Sequence, residues 1–285
     1  MAEGPTTRRR QVGLRLKDLR DGCGLTAEEA GERAGASKAT VSRYERGTGE
    51  IKWNQVEALC RAYQASDEER EALVALAKAS SSAGAWWSSK GDPLDDKMRL
   101  LIALESEATR IQQYQAVFVP GLLQTRAYGE AIAAPPSQRL DAATSERYLN
   151  VRRKRQELLL KPAPPAYHVI LDESVLLRAV GGPAVMSDQL DHLLERATAP
   201  HFTLQVLPLA SGGFSAANSS FLILGAADPD LDVIYSEQVS GALFLEQPHE
   251  RKKCAEAFAH LSEAALGPGP SADLIAEASK MHHRN

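Results

Sequence analysis

Leu25–Gly47, LTAEEAGERAGASKATVSRYERG, is the stretch whose reading decides the fold. Thr26 is a favoured helix N-cap, and Glu29 three residues later can reach back to its backbone, so a capping box opens a short helix. Gly35 stops that helix, and Ser37 can cap the next. In the second of the pair, Val41 and Tyr44 stand three apart and face a core, which leaves Lys38, Thr40, Ser42 and Arg43 on other faces. Two short helices, a tight turn and a polar outer face on the second helix are the grammar of a helix-turn-helix.

The flanking segments supply a core for it. Behind a disordered 1–7, Arg8–Arg10 start a helix whose Val12, Leu16 and Leu19 share one face; the three arginines form either a flexible arm reaching for phosphates or a solvated helix end. Gly22 and Gly24 close this helix. After Gly47 and Gly49 a fourth helix runs from about Lys52 to Tyr63, burying Val56, Leu59, Cys60 and Tyr63. Ser66 with Glu69 is a second capping box, opening a fifth helix that turns Leu73 and Leu76 inward and ends near Ala79. The spacing predicts an all-α five-helix head over residues 1–79.

Leu25-Thr26, Glu28-Glu29, Ala34-Gly35, Ser37, Thr40-Val41-Ser42 and Glu45-Arg46-Gly47 resemble the Xre or lambda-repressor type of DNA-binding domain, over about residues 8–79. That family usually carries Gln where this chain has Ala27, so its phosphate contact is absent or replaced here. It usually has Leu-Ala where this chain has Ala30-Gly31, which predicts thinner packing and a weaker helix, since an interior Gly costs about 1 kcal/mol relative to Ala. In such a head the helix starting at Ser37 enters the major groove of double-stranded DNA. Lys38 then suits guanine O6 or N7, Thr40 a thymine methyl or the backbone, and Arg43 a base or a phosphate, with Ser42 beside them. Backbone N–H groups at Thr26 and Ser37 can meet phosphates, and a homodimer reading a pseudo-palindrome is the usual arrangement.

The charge distribution agrees. The chain of 285 residues carries a net charge of −4, but residues 1–53 hold 11 Lys and Arg against 8 Asp and Glu, while the rest hold 22 against 29. A slightly basic head on an acidic body suits a DNA partner better than a chain coated in nucleic acid. No apolar run approaches the roughly 20 residues of a membrane span, and MAEGPTTRRR has no apolar core after its charges, so a cytoplasmic protein is expected. Cys23, Cys60 and Cys254 are odd in number and widely spaced, which predicts small buried hydrophobes rather than disulfides or a CxxC metal site.

At 285 residues two domains are expected. Residues 80–96 turn to Ser, Gly and Asp and read as a linker in which Trp86 or Trp87 docks on a domain or on a second subunit. The body, 97–285, opens with helical spacing through Leu100, Leu101, Leu104, Ala108 and Ile111, is broken by Pro120-Gly121, and resumes through Leu122, Leu123, Tyr128 and Ile132. A basic helix, Ser145–Leu160, carries Arg147, Arg152, Arg153, Lys154 and Arg155, with Glu146 and Glu157 placed to pair along it. After KPAPP (161–165) about five strands are predicted at 167–171, 202–207, 220–224, 233–235 and 242–245, with helices near 184–197, 250–266 and 271–281. This is an α+β body.

VPGLLQT (119–125), LDESVLLRAVGG (171–182), QLDHLLE (189–195) and LQVLPL (204–209) resemble the C-terminal domain of unknown function found behind Xre-type heads in actinobacterial regulators. The resemblance implies an antitoxin-like regulator working with a small toxin-like partner protein. A small-molecule effector is the alternative, with Phe214, Tyr235 and Phe244 as candidate lining or as core.

Enzyme signatures are absent: there is no GxSxG, GxGxxG, Walker loop or HExxH. The seven histidines show no ligand spacing beyond the terminal His282-His283, and neither cofactor nor metal is expected. Ser211–Ser215 reads as a strand-joining loop, and Glu173 as the cap of a short helix rather than an acid paired with Asp172.

Overall fold

A computed structural model describes residues 7–47, 51–81, 94–133, 141–213, 218–226, 229–238, 241–245 and 247–284. The chain divides into two compact units, Met1–Glu107 and Ala108–Asn285. Trp86, Trp87 and Phe214 lie outside the described residues, as does 1–6.

The first unit contains α1 (Thr7–Gly22), α2 (Ala27–Ala34), α3 (Lys38–Glu45), α4 (Trp53–Ala62), α5 (Asp67–Ser81) and α6 (Asp96–Glu107). Val12 and Leu16 of α1 meet Ala30, Val41, Tyr44, Val56, Leu59, Cys60, Tyr63, Leu73 and Ala77 in one buried cluster, so each amphipathic stripe read from the sequence points where its spacing demands. Two expectations change. Arg9 and Arg10 are buried in the first turns of α1, neither arm nor solvated end. Cys23 is exposed, its thiol donating to the Tyr63 carbonyl at 2.8 Å, whereas Cys60 is buried and burial pushes its thiol up to about 11.

Gly31 also differs from its sequence reading. A Cβ there would stand 2.4 Å from the Ala36 carbonyl oxygen, which the turn brings back over α2. The Ala36 N–H donates to the Gly31 carbonyl at 2.7 Å, and Gly35 occupies the left-handed region at φ 66°. The glycine is what allows so tight a turn.

The second unit is a six-stranded mixed sheet in the order β3-β2-β1-β4-β5-β6. The strands are β1 (Arg110–Gln115), β2 (Ala166–Asp172), β3 (Phe202–Leu207), β4 (Phe221–Gly225), β5 (Val233–Gln238) and β6 (Gly241–Leu245). β1, β2 and β3 run parallel; β4, β5 and β6 form an antiparallel meander whose first strand pairs with β1. α7 (Arg126–Ala133) and α8 (Ala142–Gln156) join β1 to β2, while α9 (Glu173–Leu177) and α10 (Pro183–Arg196) join β2 to β3. α11 (Pro248–Ala264) seats Phe258 and Leu261 on Tyr114, Ile170, Phe221, Ile223 and Ile234. α12 (Pro268–Arg284) packs on α10 and β3, and the β3 edge is closed by Val206 N–H to Ser271 Oγ and Leu266 N–H to Val206 O, each 2.9 Å.

β1 corrects the helix read through Ala108 and Ile111: α6 stops at Glu107, and the next segment becomes the central strand. Its buried Gln113 accepts from the Tyr167 hydroxyl at 2.6 Å, so a polar residue is satisfied inside the sheet. VPGLLQT then forms a 3-10 turn at Gly121–Leu123 held by three glutamines. Gln124 Nε2 donates to Val119 O, Gln156 Nε2 to Gly121 O and Gln124 O, and Gln189 bridges Thr125 N–H and Leu123 O. The basic helix also ends earlier than expected, with Glu157–Leu160 as a 3-10 turn, and Glu146 pairs not along α8 but with Arg126 of α7. The cap of α9 is Asp172, which accepts from Ser174 N–H; Glu173 accepts from Leu209 N–H instead. Tyr235 and Phe244 meet edge to face across β5 and β6, ring centroids 5.2 Å apart.

Gly31→Ala improves helix propensity yet should destabilise the first unit by about 1–3 kcal/mol, the usual cost of forcing volume into packed structure. Urea unfolding of the variant checks this, and a gain in stability would contradict the steric account.

Candidate nucleic-acid interface

The two caps predicted from sequence are formed. Glu29 N–H donates to Thr26 Oγ1 at 3.2 Å while Thr26 N–H donates to Glu29 Oε2 at 2.8 Å, and Thr40 N–H donates to Ser37 Oγ at 3.2 Å. α3 turns Val41, Tyr44 and Glu45 inward. Thr26, Ser37, Lys38 and Arg43 are exposed, and Thr40 and Ser42 are half-buried. The Thr40 hydroxyl is within 2.9 Å of Ser37 Oγ, so it is partly engaged by the cap. Lys38 faces Glu28 at 3.6 Å with both side chains largely exposed, a pair of little net worth that solvent and salt readily open. The Arg43 guanidinium lies 5.8 Å from the Tyr44 ring centroid.

The sequence reading missed Arg46. It is exposed, follows Ser42 by one helical turn and donates from Nε to the Ser42 carbonyl at 3.0 Å, continuing the stripe that begins at Lys38. Its i, i+4 spacing from Ser42 was the available signal.

Also missed was what holds α3 in place. Arg20 forms a fork on Glu45, Nε to Oε1 at 2.6 Å and Nη2 to Oε2 at 3.0 Å, and its Nη1 donates to Leu25 O at 2.6 Å. The side chains are only 13% and 7% exposed. The pairing raises the Arg20 guanidinium further above its ordinary range, and burial, aided by the Glu45 charge, pushes the Tyr63 phenol up. Beside this fork, a Cβ on Gly13 would stand 2.5 Å from Tyr44 O, and one on Gly47 would stand 2.8 Å from Arg10 Cα. The backbone of α1 therefore lies directly on the last turn of α3.

A cavity of about 620 Å³ opens between α1 and α5, lined by Leu19, Cys23, Tyr63, Leu73 and Leu76 with Arg15, Asp18 and Glu69 among its polar groups. It uses none of the outward residues of α3. Among the described residues no group of three His, Cys, Asp or Glu side chains is placed to hold a metal, and no helix is long and apolar enough to cross a membrane.

Residues 11–73 match a helix-turn-helix domain, and residues 98–277 match a domain of unknown function, DUF5753. No curated protein and no solved structure matches the chain. The helix-turn-helix domain suggests a DNA-binding regulator rather than an enzyme, while the second domain is uncharacterised.

Arg20→Met strands the Glu45 carboxylate in a buried site and should cost about 3–5 kcal/mol, most of it recovered when Glu45→Gln is added. Thermal unfolding of the two single variants and the double variant measures this coupling; additive losses would remove the fork from its role.

Proposed function

Because the chain belongs to the DUF5753 family and carries a helix-turn-helix domain ahead of that region, we propose that it is a sequence-specific transcriptional regulator reading the major groove with α3. One observation carries this reading: α3 is clamped on its inner face by Arg20 and the close-packed α1, while Lys38, Ser42, Arg43 and Arg46 form an outward polar stripe. Such a helix presents donors to base edges without having to order itself first.

Lys38 leads, because it stands at the helix start, where base edges are met, and its exposed pairing with Glu28 costs little to release. It suits guanine O6 or N7. Arg43 reaches a base or a phosphate, Thr40 a thymine methyl or the backbone, and Ser42 lies between them. The N–H groups behind the Thr26 and Ser37 caps face the anion-attracting ends of α2 and α3. Arg46 adds a phosphate-seeking cation at the far end of the stripe, which offsets the missing glutamine at Ala27. The protein acts as a homodimer on half-sites about 10 base pairs apart. Its body carries the regulation. The resemblance to antitoxin-like regulators supports a small partner protein as the input, and a small-molecule effector is the alternative.

Lys38→Ala combined with Arg43→Ala should weaken operator binding by roughly 100-fold, since each lost base contact is worth about 1–3 kcal/mol, with unfolding temperature unchanged. Fluorescence anisotropy on the chain's own promoter region reads this directly. Undiminished specific binding by the double variant would sink the proposal.

A further inference from the structure

Stripes of α1 and α5 face one another across the cavity of about 620 Å³ in the first unit. α1 supplies Arg15, Asp18, Leu19 and Gly22, spaced i, i+3, i+4 and i+7, and α5 supplies Glu69, Leu73 and Leu76 at i, i+4 and i+7. Tyr63, buried at the C-cap of α4, lines the cavity as well. Leu19 and Leu76 are only half-buried, so part of their apolar surface stays in water, where covering it is favourable. The volume lies within the range of about 300–1,000 Å³ typical of small-molecule sites.

Gly22 keeps this space open. A Cβ on Gly13 or Gly31 would strike backbone at 2.5 or 2.4 Å, whereas a Cβ on Gly22 meets nothing within 4 Å. The first two glycines permit close backbone contact; the third borders unfilled volume. The charges of the lining are unbalanced, since Asp18 and Glu69 oppose Arg15 alone among the described lining residues. The Ser66 hydroxyl donates to Glu69 at 3.1 Å and leaves its charge in place, and Asp18 is exposed. Carboxylates on both helices beside a leucine-lined groove suit a cation with an apolar body, while an anion of the same shape meets net repulsion.

We propose that the groove between α1 and α5 binds a small apolar cation, its body covered by Leu19, Leu73 and Leu76 and its charge near Asp18 and Glu69. The site stands apart from the DNA-reading face, which uses none of these residues.

Isothermal titration calorimetry of the full chain with tetraphenylphosphonium, against its isosteric anion tetraphenylborate, tests it. The cation should occupy one site per chain with a Kd on the order of 10 μM, and the anion should bind at least about tenfold more weakly. Gly22→Leu grows a side chain from a position with room for it. It should weaken cation binding at least about tenfold while the unfolding temperature stays unchanged or rises, Leu being the better helix former. Ala72→Phe, at an exposed position of α5 in the same lining, should act alike. Asp18→Asn should weaken binding about threefold, the scale of an exposed charge contact. The exposed Cys23 thiol, also in the lining, reports position, because bound cation should slow its alkylation by iodoacetamide in a peptide map. The Lys38→Ala, Arg43→Ala protein should keep full affinity. Absent saturable binding, equal binding of the two ions, affinity retained in both filling variants, an unprotected Cys23, or binding lost in the Lys38, Arg43 variant overturns the site.

Discussion

The fork between Arg20 and Glu45 is the constraint on which the reading head depends. α3 is eight residues long, too short to persist by its own hydrogen bonds, so its orientation must come from tertiary contacts. Its last residue is a buried carboxylate, at the end where the helix dipole already favours positive charge. Arg20 supplies that charge in bidentate form and turns its Nη1 to Leu25 O, at the residue that opens the helix-turn-helix, and to the Asp21 carboxylate. One side chain thereby fixes the end of α1, the start of the motif and the end of α3. Gly13 and Gly47 allow the backbones to meet closely enough for the fork to form.

The body solves a different problem, with amides in place of ions. A strand with three glutamines, β1, sits at the middle of the sheet, and Gln124, Gln156 and Gln189 bind the turn that follows it. Neutral amides hold this non-repetitive turn in one geometry without the desolvation cost of charges, although Gln124 Oε1 is buried without a hydrogen-bond partner among the described residues. The phrases that carry the family resemblance fall on these elements: VPGLLQT is the turn, LDESVLLRAVGG the end of β2 with the Asp172 cap and α9, QLDHLLE the helix that contributes Gln189, and LQVLPL the strand β3. They encode a scaffold. The resemblance therefore speaks to fold more directly than to any ligand.

What the sequence made legible follows the range of the interaction. The caps at Thr26, Ser37 and Ser66 act over three residues and were readable as spacing, as were the stripes of Val12, Leu16, Val41 and Tyr44. Arg20 and Glu45 are 25 residues apart, and nothing local distinguishes either from a solvated surface charge. β1 was hidden because Leu104 and Ile111 keep helical spacing while its glutamines weaken the strand pattern; only the pairing with β2 and β4 decides the matter. Gly31 looked like a packing defect because the carbonyl that excludes a side chain comes from a turn, and turns are where backbone position is least legible in composition. The polar positions of α3 named from the sequence end at Arg43, and the exposed Arg46 continues them by one turn from Ser42.

The same residue type thus does two physically distinct things in the first unit, and burial with partner identity tells them apart. Arg20 is half-buried against a bidentate, buried carboxylate and is committed to the fold. Arg43 on α3 and Arg46 at its end are exposed, where a guanidinium meets phosphates or base edges at a smaller desolvation cost than a buried one. Net charge cannot separate these cases, since each contributes the same unit to a total of −4. The division matters for binding because a polyanion such as DNA can engage only the exposed class.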